Sequence, residues 1–417
     1  MQSSPITPAS LALNGGTPVR NKPFAPWPSF DAEMMSVVQE VLESGKVNYW
    51  TGQEGRSFEK EFASACDAEY GVLVANGTLA LELALKALEI QPGDEVITTC
   101  RTFVASASSI MMCGAKPVFA DIDPISHNIT AQTIAKQITP NTKAIIAVHL
   151  AGWPCDMDPI LEVARKHKLY VIEDCAQCHG ATYKGRPVGT LGDIGAFSFC
   201  QDKIMTCGGE GGMLVTNNAE WHERAWGFKD HGKSWDAVYR REHKTVFKWL
   251  HEDLGTNWRM TEMQAAIGRV ALRRLPDWIA ARRHHAQILD AGFEQIPGIQ
   301  VLKPGSDFGH SYYKYYALLD LDVLPTDWNR DRFVAALQAE GIPCGSGACP
   351  EIYFEKVFAK YNLEPAERLP VARKIGGQSL MFMVHPTLNE TDMQDIVNAV
   401  NKVMRAITAD AANQQAA

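Results

Sequence analysis

The stretch YGVLVANGTLALELALKALEIQPGDEVITT, residues 70–99, decides the architecture of this chain. A short apolar run at Gly71–Ala75 reads as a strand, Leu79–Leu88 as an apolar helix, and Glu95–Thr99 as a second strand. A strand, a helix and a strand in that rhythm form a βαβ unit and imply parallel pairing. Working outward, the rhythm continues with strands expected at Lys116–Ala120, Lys143–His149 and Leu169–Glu173, and later at Met213–Thr216. The runs AIIAV and YVI are apolar without alternation, which suits strands covered on both faces. The expected fold class is therefore α/β, with a mostly parallel central sheet and helices on both faces.

From about Arg259 the pattern changes. A long helical stretch, Thr261–His285, leads into a mixed region with a strand at Tyr313–Leu319 and a closing helix at Glu390–Met404. This predicts a loose N-terminal arm over 1–18, rich in Ser, Pro and Gly, and a large α/β domain over 19–279. A smaller α+β domain follows over 280–407, and a tail at 408–417 lacks periodicity and should fray.

Composition narrows the function. The 417 residues are 46% hydrophobic and 21% charged, as in ordinary globular proteins. The net charge of −8 argues against a nucleic-acid partner. No run of ~18 apolar residues is present to span a bilayer, and MQSSPITPAS has neither a basic nor an apolar signal region. The ten cysteines lack paired zinc spacing and read as small buried residues of a reducing cytoplasm, Cys175 and Cys178 included. No metal site is expected.

Four places carry possible chemistry. At Ala75-Asn76-Gly77-Thr78 a strand gives way to a helix, where free amides, a close-approaching glycine and the Thr78 hydroxyl suit a phosphate. An ordinary capped turn would look the same. Asp174 closes an apolar strand at the end where parallel sheets gather ligands, near Gln177, and is either a partner for a cationic ring or a helix cap. In FSFCQDKIMTCGGEGG, 197–212, Lys203 follows Ser198 and precedes a glycine-rich loop. Partial burial there would free its lone pair to attack a carbonyl, where a lone surface lysine would stay solvated. Phe103 suits either stacking on a planar ring or core packing.

Together these residues resemble the DegT/DnrJ/EryC1/StrS family of sugar aminotransferases, which are fold-type I pyridoxal-phosphate enzymes. The resemblance runs from about Phe24 to Met404, through WTGQEGRSFEKEFA (50–63), VANGTLALELAL (74–85), PGDEVI (92–97), GAKPVFADID (114–123), EDCAQCHGATYKG (173–185), GDIGAFSF (192–199) and GTNWRMTEMQAAIG (255–268). It implies that Lys203 holds pyridoxal 5'-phosphate as a Schiff base and that Ser198, Gly77 and Thr78 bind its phosphate. Asp174 would then hold the pyridine nitrogen, with Gln177 near the ring oxygen and Phe103 stacked on the ring. Asn257 is similar to the asparagine that reaches the phosphate from a neighbouring subunit, which implies a homodimer. Two departures stand out: the glycine segment Cys207–Gly212 is one residue longer than in many members, and residue 175 is Cys where alanine is commoner.

The implied activity is transfer of an amino group from glutamate or glutamine to a ketosugar, with a nucleotide-linked 3- or 4-ketosugar as the leading acceptor, for polysaccharide or antibiotic sugar synthesis. The alternatives within the family are a cyclitol ketone of the inosose type and an aminobenzoate-forming synthase; a non-catalytic cofactor binder is a third reading. The basic, aromatic segment 228–251 offers Lys229, His231, Tyr239 and Arg240 to a sugar diphosphate, with Tyr313 from another stretch, or else is a solvated loop.

Overall fold

The computed structural model describes residues 8–244 and 246–415. Its larger part is built on a seven-stranded sheet. The spatial order is Tyr70–Val74, Gly212–Thr216, Ile194–Ser198, Tyr170–Asp174, Thr142–Val148, Glu95–Thr99 and Lys116–Ala120. Gly212–Thr216 runs antiparallel to both neighbours, and every other pairing is parallel. Every residue of Glu95–Thr99, Ile194–Ser198 and Gly212–Thr216 is buried, so these strands show none of the alternation of a one-sided sheet.

The helix of the opening βαβ unit runs Gly77–Ala87, starting two residues before the apolar run. Asn76 explains the early start: its Oδ1 accepts the Leu79 amide at 3.0 Å and caps the first turn. Ala80, Leu81, Leu83, Ala84 and Leu85 are all buried, because this helix packs between the sheet and further helices.

The helix predicted over 261–285 extends over Glu262–Phe293, opened by a reciprocal cap between Thr261 and Gln264. It carries straight through the boundary expected at 279/280. Leu275 and Ile279 pack with Phe197 and Met213 of the large sheet, while Ala286, Leu289 and Phe293 pack with Tyr315, Leu319 and Phe382. One helix thus serves both cores. The smaller part holds an antiparallel sheet in the order Ile299–Val301, Tyr315–Leu319, Ser379–Phe382, Cys344–Gly345.

Both expected loose ends are corrected where the structure describes them. Over 8–19, Leu11 is fully buried in the core around the four-stranded sheet, and the amides of Ala12 and Val19 both donate at 2.9 Å to the buried Glu340 carboxylate. Residues 1–7 lie outside the described residues. At the other end the closing helix runs Glu390–Gln415, through most of the tail expected to fray. Ala406 and Ile407 are fully buried, so packing carries the helix past Met404. Among the described residues no helix is long and apolar enough to cross a membrane.

Candidate active site

The site gathers at the carboxyl ends of the parallel strands, where loops leave the sheet. Asp174 is the last residue of its strand and 5% exposed. Its Oδ2 accepts from the Ser106 hydroxyl at 2.7 Å and its Oδ1 from the Ala176 amide at 3.1 Å. Ser106 lies 2.9 Å from the Thr102 hydroxyl, which extends the chain of hydroxyls away from the carboxylate. Burial pushes the Asp174 carboxyl up, while the Ser106 and Ala176 hydrogen bonds and the charge of Lys203 act the other way.

Gly77 and Ser198 meet directly. A Cβ on Gly77 would lie 2.4 Å from the Ser198 Cβ and 2.9 Å from its Oγ. Only a glycine lets the helix start come down onto this serine. The amides of Gly77 and Thr78 have no hydrogen-bond partner among the described residues, so the helix presents free donors and its positive end beside the Ser198 hydroxyl.

Lys203 is carried on a loop that closes on its own backbone. Phe199 donates to the Gly211 carbonyl at 2.7 Å and accepts from Cys207 at 3.2 Å, while the Thr206 hydroxyl bonds the Phe199 carbonyl at 3.1 Å. Gly208 and Gly209 take φ of 78° and 125°, a backbone conformation that glycine adopts without strain. The Trp27 indole donates to the Lys203 carbonyl at 2.8 Å, tying the N-terminal segment to this loop. The Lys203 amine sits 5.0 Å from the Tyr313 ring centre, and the Tyr313 hydroxyl donates to Asp202. Gln177 accepts the Ala151 amide at 2.9 Å through Oε1, and Phe103 is 65% exposed, an open aromatic face rather than a core residue.

The structure therefore places Gly77 with Ser198 and Lys203 with Tyr313, and it sets Asp174 within the electrostatic reach of Lys203. It separates the remaining expected contacts. Lys229 is a correction: it is fully buried, its amine donates to Glu59 at 2.8 Å and lies 4.2 Å from the Tyr49 ring, so it cannot reach a bound sugar. The burial follows from its place on the inner face of the Ala219–Lys229 helix, over a carboxylate that also accepts from Leu73 and Tyr49. His231 is exposed, Arg240 pairs with Glu223 at 2.7 Å, and Tyr239 packs 4.4 Å from Trp235. Among the described residues, their hydrogen bonds, ion pairs and ring contacts are with groups other than the Lys203 loop. Asn257 is exposed and accepts the Arg259 amide at 3.4 Å.

Sequence reading missed Ser106, Thr102, Trp27 and Asp202. Each is an ordinary residue type that gains meaning only by being folded against Asp174 or Lys203. Behind the site, His149, Cys175 and Cys178 bring ligating atoms within 4.8 Å of one another. Both ring nitrogens of His149 are already engaged, by Glu173 at 2.9 Å and by the Cys155 amide at 2.9 Å, which leaves no imidazole lone pair for a metal.

Comparison with known proteins identifies the family. Residues 28–401 match the profile of the DegT/DnrJ/EryC1/StrS aminotransferase family. A putative L-glutamine:3-amino-2,3-dideoxy-scyllo-inosose aminotransferase of Streptoalloteichus tenebrarius is 36% identical over 96% of this chain and 99% of its own. A GDP-perosamine synthase of Caulobacter vibrioides is 36% identical over 90% of this chain and 97% of its own. The X-ray structure of an aminotransferase from Psychrobacter cryohalolentis is 53% identical and superposes with a TM-score of 0.90, covering 92% of this chain and 100% of that one. With the family profile matched over residues 28–401 and relatives of 36% and 53% identity covering about nine tenths or more of the chain, the protein belongs to the DegT/DnrJ/EryC1/StrS aminotransferase family.

Proposed function

We propose that the protein is a pyridoxal-phosphate-dependent aminotransferase that moves an amino group from glutamate or glutamine to a ketosugar, with a nucleotide-linked 3- or 4-ketosugar as the leading acceptor. The observation that carries the reading is the glycine-walled cradle of Gly77 and Ser198, a space a Cβ would fill, set at a helix start with free amides and near a buried carboxylate. These residues fit the cofactor. Gly77, Thr78 and Ser198 would hold its phosphate, Asp174 would pair with the ring nitrogen, Gln177 would lie near the ring oxygen, Phe103 would cover the ring, and Lys203 would bind its aldehyde carbon. When bound, the cofactor supplies an electron sink that lowers the cost of removing a proton from the donor's α-carbon.

The chain's own part is positioning and proton transfer. Lys203 Nζ, once free, would take the proton from the donor's α-carbon and deliver it to the cofactor's former aldehyde carbon within the same half-reaction, and would carry a proton the other way, onto the acceptor's former carbonyl carbon, in the second. Asp174 stays fixed because the Ser106 hydroxyl and the Ala176 amide hold both its oxygens. The two half-reactions share one site, so the kinetics are ping-pong.

Asn257 serves the site of a second copy of the chain, which makes a homodimer the working unit. Val246, Trp249 and Leu254 support this, being 105%, 70% and 85% exposed on one segment beside Asn257. The cytoplasm suits ten cysteines that are all free thiols.

An inosose-type cyclitol acceptor is the second reading, favoured by the likeness to the Streptoalloteichus protein over almost the full length of both chains. The test loads the purified protein with cofactor and follows its visible absorbance. Glutamate or glutamine should bleach the band, a ketosugar should restore it, and Lys203→Ala should not bleach with donor. Mass spectrometry of the products from nucleotide ketosugars and inososes then separates the two acceptors. A protein that never acquires a donor-sensitive band is not this enzyme.

A further inference from the structure

Residues 21–30 run over the surface, and Phe24, Trp27 and Pro28 are the half-buried members of the segment. Trp27 is anchored by two distant parts of the chain. Its ring meets Trp278 edge to face, with centres 5.1 Å apart and planes at 88°, and the Arg282 guanidinium carbon lies 5.3 Å from the ring centre. Trp278 and Arg282 stand one turn apart in the Glu262–Phe293 helix, so a single helix face supplies both contacts. Arg282 is 1% exposed and its Nε and Nη2 have no hydrogen-bond partner, which makes the electron-rich indole a favourable neighbour for that charge. From the chain that follows the Ser379–Phe382 strand, the His385 ring lies 6.1 Å away and 22° from parallel, and the Thr387 hydroxyl donates to the Pro26 carbonyl at 2.9 Å.

What this anchored ring offers the site is one N–H. Trp27 Nε1 donates to the Lys203 carbonyl at 2.8 Å, across 176 positions of sequence. The Lys203 amide donates to the Cys200 carbonyl at 3.1 Å, and the Asp202 carboxylate beside it accepts the Tyr313 hydroxyl. The backbone of Lys203 is thus held at its amide from within the loop and at its carbonyl from outside it. An indole N–H is a donor only, with a direction set by the ring plane, so fixing the ring fixes the place of the carbonyl. That matters for a lysine, whose long flexible stem lets the amine wander unless its root is held. An amine that must act first as a nucleophile and then as a base at neighbouring carbons gains most from a fixed root.

We propose that Trp27 is a positioning residue for Lys203: its indole N–H, braced by Trp278, Arg282 and His385, fixes the backbone from which the reacting amine projects. The work of the amine rests on the aminotransferase reading above; the brace on the loop does not. A packing role alone would need the ring and not the N–H, and the two can be separated.

The experiment compares the full chain with two replacements at position 27. Trp27→Phe keeps an aromatic ring and loses the donor, and β-(3-benzothienyl)alanine keeps the bicyclic shape with sulfur in place of the N–H. Hydrogen exchange is read over residues 199–211 in cofactor-free protein, where both replacements should speed exchange at least about five-fold while the large sheet keeps its protection. In cofactor-loaded protein, the rate at which saturating glutamate or glutamine bleaches the visible band should fall at least about ten-fold, with the half-saturating donor concentration within about two-fold of wild type. A benzothienyl protein that matches wild type in exchange and in bleaching rate overturns the proposal, as does a loss confined to donor affinity. If no donor-sensitive band forms at all, the aminotransferase reading fails, and the exchange measurement still decides whether Trp27 braces the loop.

Discussion

At the scale of single residues, the site depends on close approach. Gly77→Ala would set a methyl 2.4 Å from the Ser198 Cβ, well inside contact distance, and neither backbone can give way without moving a strand or a helix start. We expect the variant to fold with a stability loss of about 1–3 kcal/mol. Its cofactor affinity should fall at least about ten-fold in an absorbance titration, and an affinity within two-fold of wild type would remove the cradle from the argument. Lys203, Asp174 and Ser198 were candidates in the sequence because they stand in motifs that resemble those of the family. Ser106 could not be. A serine in an Ala- and Ser-rich helix acquires a role only when that helix docks beneath Asp174.

At the scale of elements, the Ala219–Lys229 helix shows why a charge in the sequence is no guide to its surroundings. Lys229 sits two residues from exposed His231, yet it is drawn inward to a carboxylate shared with Tyr49 and Leu73. Removing one partner of a buried pair strands the other. Lys229→Met should therefore lower the free energy of unfolding by about 3 kcal/mol in urea titration. Adding Glu59→Gln to that variant should restore part of the loss, since the stranded charge is removed. If Lys229→Met melts like wild type, the pair is not structural.

The same scale holds the boundary expected at 279/280, where one continuous helix, 262–293, packs against both cores. No linker marks it, because a helix can change packing partners without changing its own periodicity.

At the scale of the whole molecule, buried histidines set the acid limit. Burial depresses His222 to about 4, and His179 and His310 to about 3 each. Their folded values lie below the unfolded value of ~6.5. The unfolded chain therefore takes up protons that the folded one refuses as pH falls below ~6.5, and stability drops through that window toward pH 4. His222, stacked 4.6 Å from Tyr70, is the simplest to replace. In His222→Phe the loss of unfolding free energy between pH 7.5 and pH 5.5 should be smaller by about 1 kcal/mol than in wild type. An unchanged difference would mean that the histidine already titrates freely in the fold. Association is the other molecular property: Trp249→Ser combined with Leu254→Ser should shift sedimentation from dimer toward monomer, and a dimer that persists would place the interface elsewhere.

The sequence alone determined the α/β order, the mostly parallel sheet, a lysine ahead of a glycine-rich loop and an aspartate at a strand end, because periodicity and residue order are local properties that survive without the fold. Only the tertiary structure decided which charges lie inside, which helix serves two cores, and that the chain's first described turns and last helix are packed rather than loose. Those outcomes depend on surfaces brought together from distant parts of the chain, as when Glu340 accepts from Ala12, Val19 and Lys402, and no window of sequence contains both sides of such a contact.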